Sequence, residues 1–254
     1  MKIALIGAGA MGGAIAEGLV ESGFSASDIS ISNPHEEKLK RYEHSGITTT
    51  TDNKEAVKGA DVVIIAVKPW ILPGVVAELR DSLHYNYQAV SVVAAGVSGE
   101  ELQSWFDYNG YCPTLSLAMP NTAVKCRESM TFIVPVTGNE KNPDIAIYER
   151  LGKVAVIEER QLSAATALAS CGIAYALRYI RAATEGGVQL GFRASEAQKI
   201  VAQTVKGAAM LLENGAHAEA EIDRVTTPGG LTIRGLNAME KAGFTNAVIS
   251  GLLG

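Results

Sequence analysis

The feature that most restricts the fold stands at the start of the chain. Ile3-Ala4-Leu5-Ile6 runs directly into Gly7-Ala8-Gly9-Ala10-Met11-Gly12. A G-x-G-x-x-G pattern alone is a weak signal. Here it follows a predicted strand, opens a predicted helix over Met11–Ser22, and lies within a βαβ unit. Gly7 permits a tight turn, Gly9 lets backbone amides approach a pyrophosphate, and Gly12 lets helix and strand pack closely. The helix N-terminus adds free N–H groups and partial positive charge. Ile6, Gly7, Ala8, Gly9, Ala10, Met11 and Gly12 are therefore predicted to form a dinucleotide-binding loop, against the alternative of a glycine-rich turn without a ligand.

Short β-branched runs recur after it: Ile29–Ser32, Val62–Val67, Ala89–Val93, Leu115–Met119 and Thr131–Val136. They are nearly continuous in polarity, which suits parallel strands covered on both faces. A helix is expected over Pro34–His44, with Glu36, Glu37, Lys38 and Lys40 on its solvated side. Alternation of strand and helix predicts an α/β fold with an N-terminal doubly wound, Rossmann-like sheet.

Proline marks the boundary. Seven of the eight prolines lie between Pro34 and Pro143, and the next 84 residues contain none before Pro228. Such a stretch, rich in alanine, leucine and glutamate, is expected to be mostly helical. Gly152–Ile157 suits one last strand. The reading is a nucleotide-binding domain over 1–157 and an all-helical domain over 158–254, with a linker near 155–162. Leu168, Ala169, Ile173, Ala176, Leu177 and Ile180 form one apolar face. Ile200, Val201, Val205, Ala208, Leu211 and Leu212 form another. These faces suit either a compact bundle or burial against a second copy of the chain.

Composition excludes several classes. With 22 basic and 27 acidic side chains the net charge is −5, so no nucleic-acid surface is implied. The longest apolar run, Val62–Val67, has six residues, far short of the roughly 20 of a membrane span. Lys2 followed by Ile3–Ala16 imitates a signal peptide, but its glycines and Glu17 argue against one. Cys112, Cys126 and Cys171 are odd in number and widely separated, and read as reduced thiols of a cytoplasmic protein. The four histidines lack ligand spacing, so no metal is expected.

NAD-binding chains usually carry an Asp or Glu at the end of the second strand to hold the ribose 2′-hydroxyl. Here the residues are Ser32-Asn33-Pro34-His35. No carboxylate repels a 2′-phosphate, Ser32 and Asn33 offer hydrogen bonds, and His35 or Lys38 offers charge. NADPH is the expected cofactor, with NADH as the alternative. Asn33 also suits a helix cap before Pro34. Ala66-Val67-Lys68-Pro69 and Ala94-Ala95-Gly96 follow the next two strands, where ligands lie in open α/β sheets.

Two segments remain. Met119-Pro120-Asn121 follows the fifth predicted strand at its carboxyl end. Thr226-Thr227-Pro228-Gly229-Gly230-Leu231-Thr232 interrupts the helical region before a helix expected over Ile233–Ala242. It reads equally as a turn with Thr232 as N-cap or as an anion nest of amides and hydroxyls.

Taken together, GAGAMG, AVKP, AAGVSGEEL, MPNT, the proline-free region and TTPGGLTIRGLNAMEKAG resemble the pyrroline-5-carboxylate reductase family over essentially the whole chain. The resemblance implies reduction of the C=N bond of 1-pyrroline-5-carboxylate to L-proline by NAD(P)H, the last step of proline biosynthesis. It also implies a homodimer through the helical domain, with larger rings of dimers as an extension. It adds Asn53 to the nucleotide contacts, although Asn53 also suits a cap of the short helix it opens. It assigns Met119, Pro120, Asn121, Thr227, Gly229, Gly230, Leu231 and Thr232 to the substrate. The chain departs from the family's S-G-S-G-P-A-Y at Ala169-Ser170-Cys171-Gly172-Ile173-Ala174-Tyr175, where loss of proline is expected to straighten a helix. Leu231 stands where threonine is common.

No His, Asp or Glu lies within the candidate substrate segments. Thr232 is the candidate catalytic residue, positioning the ring nitrogen rather than transferring a full proton. Glu185 is a weaker candidate, with a solvated or capping role as its alternative. Lys199 and Lys206, seven apart on one predicted helix, represent a rival hydroxyacid-dehydrogenase chemistry. A nucleotide-binding regulator without turnover is the rival from a different class.

Overall fold

A computed structural model describes residues 1–138 and 142–254. The chain divides into two compact units, Met1–Ser170 and Cys171–Gly254.

The first unit is built on a sheet of eight strands: β1 (Ile3–Ile6), β2 (Ile29–Ser32), β3 (Thr48–Thr50), β4 (Val62–Ile65), β5 (Ala89–Val92), β6 (Thr114–Met119), β7 (Ser129–Thr137) and β8 (Gly152–Val156). Their order is β3-β2-β1-β4-β5-β6-β7-β8, parallel throughout except that β7 runs antiparallel to β6. The first six positions follow the doubly wound order, with its switch point between β1 and β4. Every residue of β1, β4 and β5 is buried, because helices cover both faces. The pleat sorts them: Ile3, Leu5, Val62 and Ile64 enter one core with Ile15, Leu19 and Tyr148. Ala4, Ile6, Val63 and Ile65 enter the other, with Leu72, Val76 and Phe106. Each large aliphatic side chain so placed contributes about 1.5–3 kcal/mol.

Helices α1 (Ala10–Glu21), α2 (Asn53–Ala56), α3 (Leu72–Leu79), α4 (Gly99–Phe106), α5 (Pro143–Tyr148) and α6 (Leu162–Ala165) belong to this unit. Ser98 and Glu101 close a capping box on α4, and Asp52 caps α2 by accepting from the Lys54 and Glu55 amides. Asn53 is therefore the first helical residue, not the cap.

The helix expected over Pro34–His44 does not form. Two 3-10 turns, Glu36–Lys38 and Lys40–Tyr42, replace it. Leu39 and Tyr42 are the residues buried there, and their spacing of three suits a three-residue turn. Asn33 Oδ1 accepts from the His35 amide at 3.0 Å, an Asx turn that competes with helix initiation. Strand β3 lay outside the expected set because three threonines at a sheet edge carry no apolar run.

In the second unit lie α7 (Gly172–Gln189), α8 (Ala194–Leu212), α9 (Ala218–Arg224), α10 (Leu231–Lys241) and α11 (Phe244–Leu253). Among its residues only Thr184 and Ala197 are buried. Leu177 is 59%, Leu190 82% and Leu211 54% exposed. Close approach of α7 to α8 rests on Gly187, where a Cβ would lie 2.9 Å from Ala197 Cβ. The Tyr175 hydroxyl ties α7 to the Gly251 carbonyl of α11. The apolar faces expected from the sequence exist, but one copy of the unit does not bury them.

Between α6 and α7 the chain makes a π turn over Thr166–Cys171. The helix expected to straighten there instead carries a bulge, and the boundary between the compact units falls within it.

Candidate active site

The loop after β1 is shaped for an anion. Gly7 has φ +108°, and its amide donates to the Ser32 carbonyl at 2.9 Å. A Cβ on Gly7 would lie 2.5 Å from the Ala66 carbonyl oxygen, so the loops after β1 and β4 touch at the switch point. Nothing lies within 4 Å of a Cβ placed on Gly9. Gly9 is the N-cap of α1, without a side-chain cap, and the first turn holds no acidic residue. The amides of Ala10, Met11 and Gly12 are thus left for an external acceptor. Open space above Gly9 and an uncapped helix end together fit a dinucleotide pyrophosphate.

At the end of β2, Ser32 is fully buried and its hydroxyl donates to Asn53 Oδ1 at 2.7 Å. The Asn53 amide donates in turn to Glu78 Oε2 at 3.0 Å. These hydrogen bonds link the end of β2 through the start of α2 to Glu78 of α3. With the Asn33 oxygen engaged by His35, its NH2 group is the remaining donor of that side chain. Ala66 and Val67 are half-buried, and Pro69 opens a 3-10 turn. Lys68 Nζ stands 5.9 Å from the exposed Trp70 ring, the solvated position rather than a buried acid. Ala94 is buried, while Ala95 and Gly96, with Gly96 at φ +77°, form the exposed lip after β5.

Met119, Pro120 and Asn121 close β6 and are all buried. The Asn121 oxygen caps the Ala123 amide at 3.0 Å, and its nitrogen donates to the Ala169 carbonyl of the π turn at 3.4 Å. Asn121 therefore ties the sheet to the segment where the chain departs from the family pattern.

The glycine turn of the second unit is a separate construction. Gly230 donates to the Thr227 carbonyl at 3.0 Å, and Gly229 has φ +70°. Proline followed by a positive-φ glycine is the signature of a type II turn. Gly230, not Thr232, is the N-cap of α10, because the helix begins at Leu231, two residues earlier than expected. Thr232 is the second helical residue. With no side-chain cap and no acid in its first turn, α10 leaves the amides of Leu231 and Thr232 open to an anion. A Cβ on Gly230 would lie 2.5 Å from Thr227 Oγ1.

Glu185 pairs with Arg181 at 2.8 Å, one turn away on α7, which explains it structurally. Lys199 and Lys206 are exposed on α8. Arg41, outside the expected site residues, brings its guanidinium to the glycine loop at the Ala8 and Gly9 carbonyls. A basic residue in a supposed solvated helix offers no local signal of that contact.

Comparison with known proteins identifies the family. Residues 159–253 match the family described as pyrroline-5-carboxylate reductase dimerisation. Residues 2–95 match one described as NADP oxidoreductase, coenzyme F420-dependent. Pyrroline-5-carboxylate reductase 2 of Dictyostelium discoideum is 37% identical over 99% of this chain and 90% of its own length. Pyrroline-5-carboxylate reductase 1 of the same organism is 39% identical over 99% of this chain, which spans 48% of that longer protein. The solved structure of the Coxiella burnetii pyrroline-5-carboxylate reductase is 31% identical, with a TM-score of 0.88, over 99% of this chain and 94% of that one. With its sheet order, its glycine loop and relatives spanning it from end to end, the chain belongs to the pyrroline-5-carboxylate reductase family.

Proposed function

We propose that this chain reduces the C=N bond of 1-pyrroline-5-carboxylate to L-proline, the last step of proline biosynthesis, with NADPH as the preferred cofactor and NADH as the alternative. The observation that carries the reading is the uncapped, Cβ-free start of α1 at the switch point of a sheet, in a chain whose relatives of that name cover nearly all of it. The nicotinamide cofactor supplies the hydride when bound.

The protein's part is binding and orientation. Ile6, Gly7, Ala8, Gly9, Ala10, Met11 and Gly12 receive the pyrophosphate, and Asn33 and Asn53 stand at the ribose side, with Ser32 bracing Asn53. Ala66, Val67, Lys68, Pro69, Ala94, Ala95 and Gly96 line the remaining strand ends. Thr227, Gly229, Gly230 and Leu231 form the turn that receives the substrate carboxylate, with the Leu231 amide and the Thr227 hydroxyl as its donors. Thr232 holds the ring nitrogen by a hydrogen bond. Met119, Pro120 and Asn121 are the further substrate residues of this reading.

The functional boundary lies at 157/158, supported by a dimerisation-family match that begins at residue 159. The exposed apolar faces of α7 and α8 support a homodimer through the helical unit. Dimers gathered into a ring are the extension of the same reading. A cytoplasmic location belongs to the same reading, supported by three free thiols.

The test is consumption of reduced nicotinamide by purified protein with DL-pyrroline-5-carboxylate, with proline identified as product. Nucleotide binding without turnover on this substrate would overturn the reading. Light scattering distinguishes monomer, dimer and ring.

A further inference from the structure

Beside the glycine loop lies a cleft of about 280 Å³ lined by Ala8, Gly9, Ala10, Glu37, Lys38 and Arg41. In a sheet of this order the pyrophosphate sits on the helix N-terminus and the adenosine ribose between it and the end of the second strand. The cleft occupies that ribose side. Its two basic side chains come from the 3-10 turns that replaced the expected helix.

Arg41 is placed with unusual specificity. Its Nη2 donates to the Ala8 carbonyl at 3.3 Å and lies 3.5 Å from the Gly9 carbonyl. It reaches them across the first turns of α1 because Gly13 has no side chain. A Cβ there would lie 1.6 Å from Nη2. Glu17 Oε1, one turn further along α1, stands 3.5 Å from Nη1, and Glu17 is shared with Lys125 at 4.0 Å. The Tyr42 ring lies 4.7 Å from the guanidinium carbon.

These contacts are long and few for a group with five donors. The guanidinium is therefore held in place without being saturated, and a bidentate partner such as phosphate would improve on every contact it has. Ser32-Asn33-Pro34-His35 at the end of β2 carries no carboxylate, and Glu37, the acidic residue of the cleft lining, stands 3.8 Å from His35 Nδ1.

We propose that Arg41, passed through the gap at Gly13 and tethered by Glu17, recognises the 2′-phosphate of the dinucleotide and sets the preference for the phosphorylated cofactor. The inference rests on the dinucleotide reading of the glycine loop. On binding, the guanidinium exchanges its long contacts to Glu17 and the loop carbonyls for the phosphate oxygens. Glu17 is thus a competitor for Arg41 as well as its tether.

The test needs no turnover. Adenosine 2′,5′-bisphosphate and adenosine 5′-monophosphate differ by the group in question, and calorimetry gives the affinity of each. Arg41→Gln is expected to weaken the bisphosphate at least tenfold while changing the monophosphate less than twofold. Arg41→Lys should recover part of the loss. Glu17→Gln should tighten the bisphosphate two- to fivefold, and that gain should vanish in the double variant. Equal losses for both nucleotides, or none, would overturn the proposal, as would a wild-type protein indifferent to the 2′-phosphate. Pyrroline reduction with NADH would survive such a result. A protein that discriminates through Arg41 but fails to reduce the pyrroline would instead overturn the substrate reading alone.

Discussion

A methyl group on Gly12 would lie 1.9 Å from the carbonyl oxygen of Gly7, so the start of α1 and the loop before it are in contact that only glycine allows. Gly9, three residues earlier, has open space where its side chain would be. Two glycines of one motif thus serve different ends, one internal packing and one ligand approach.

Their substitutions should separate. Gly12→Ala is expected to lower both the melting temperature and nucleotide affinity, because the loop must move. Gly9→Val should leave the melting temperature nearly unchanged and abolish NADPH binding. Thermal unfolding and a fluorescence titration of each variant check this. Normal NADPH binding by Gly9→Val would refute the phosphate-loop assignment.

Thr232→Ala tests the second glycine turn. Thr232 is an exposed residue in the first turn of α10, so its loss should not affect folding. The expected outcome is a kcat/KM for the pyrroline reduced more than tenfold, with NADPH affinity nearly unchanged. Wild-type kinetics in the variant would remove Thr232 from the reaction.

The helical unit should not persist as a monomer with its apolar faces in water. Leu177→Glu on α7 or Leu211→Glu on α8 introduces a charge on faces that one copy leaves exposed. Each is expected to lower the mass in light scattering to that of the monomer, half that of the proposed dimer, and to lower the melting temperature.

Asp144 provides a pH test. Its carboxyl is buried in the first turn of α5, receives the Ser116 hydroxyl, and leaves Oδ1 without a partner among the described residues. Ser116 also reaches Ser91, which meets the Tyr148 hydroxyl. Burial pushes the Asp144 carboxyl above the usual carboxylate range, opposed by the Ser116 hydrogen bond. A carboxyl raised in the fold contributes stability that is complete below its unfolded value and lost as pH rises through its folded value. Asp144→Asn should therefore gain stability relative to wild type across that window, by at most about 1.4 kcal/mol per pH unit. Parallel melting curves at several pH values would show it, and a pH-independent difference would exclude ionisation of Asp144 as the cause.

Much was legible from the residues alone because it depends on near neighbours in the chain. Ile3–Ile6 and Val62–Ile65 are apolar on both faces, so they had to be interior strands. The glycine spacing determined the turn, and the absence of proline determined the helical region. Tertiary structure decided what distant residues do for one another. Ser32 gained a partner that its own segment does not show, because Asn53, 21 residues away, accepts its hydroxyl hydrogen bond. Arg41 became a neighbour of the glycine loop because Gly13, 28 residues earlier, leaves it a passage. Asn121 was drawn to the Ala169 carbonyl by a π turn that no local pattern announced. Backbone conformation follows largely from local sterics and polarity, whereas hydrogen-bond partners are chosen by whatever the completed fold brings within about 3 Å.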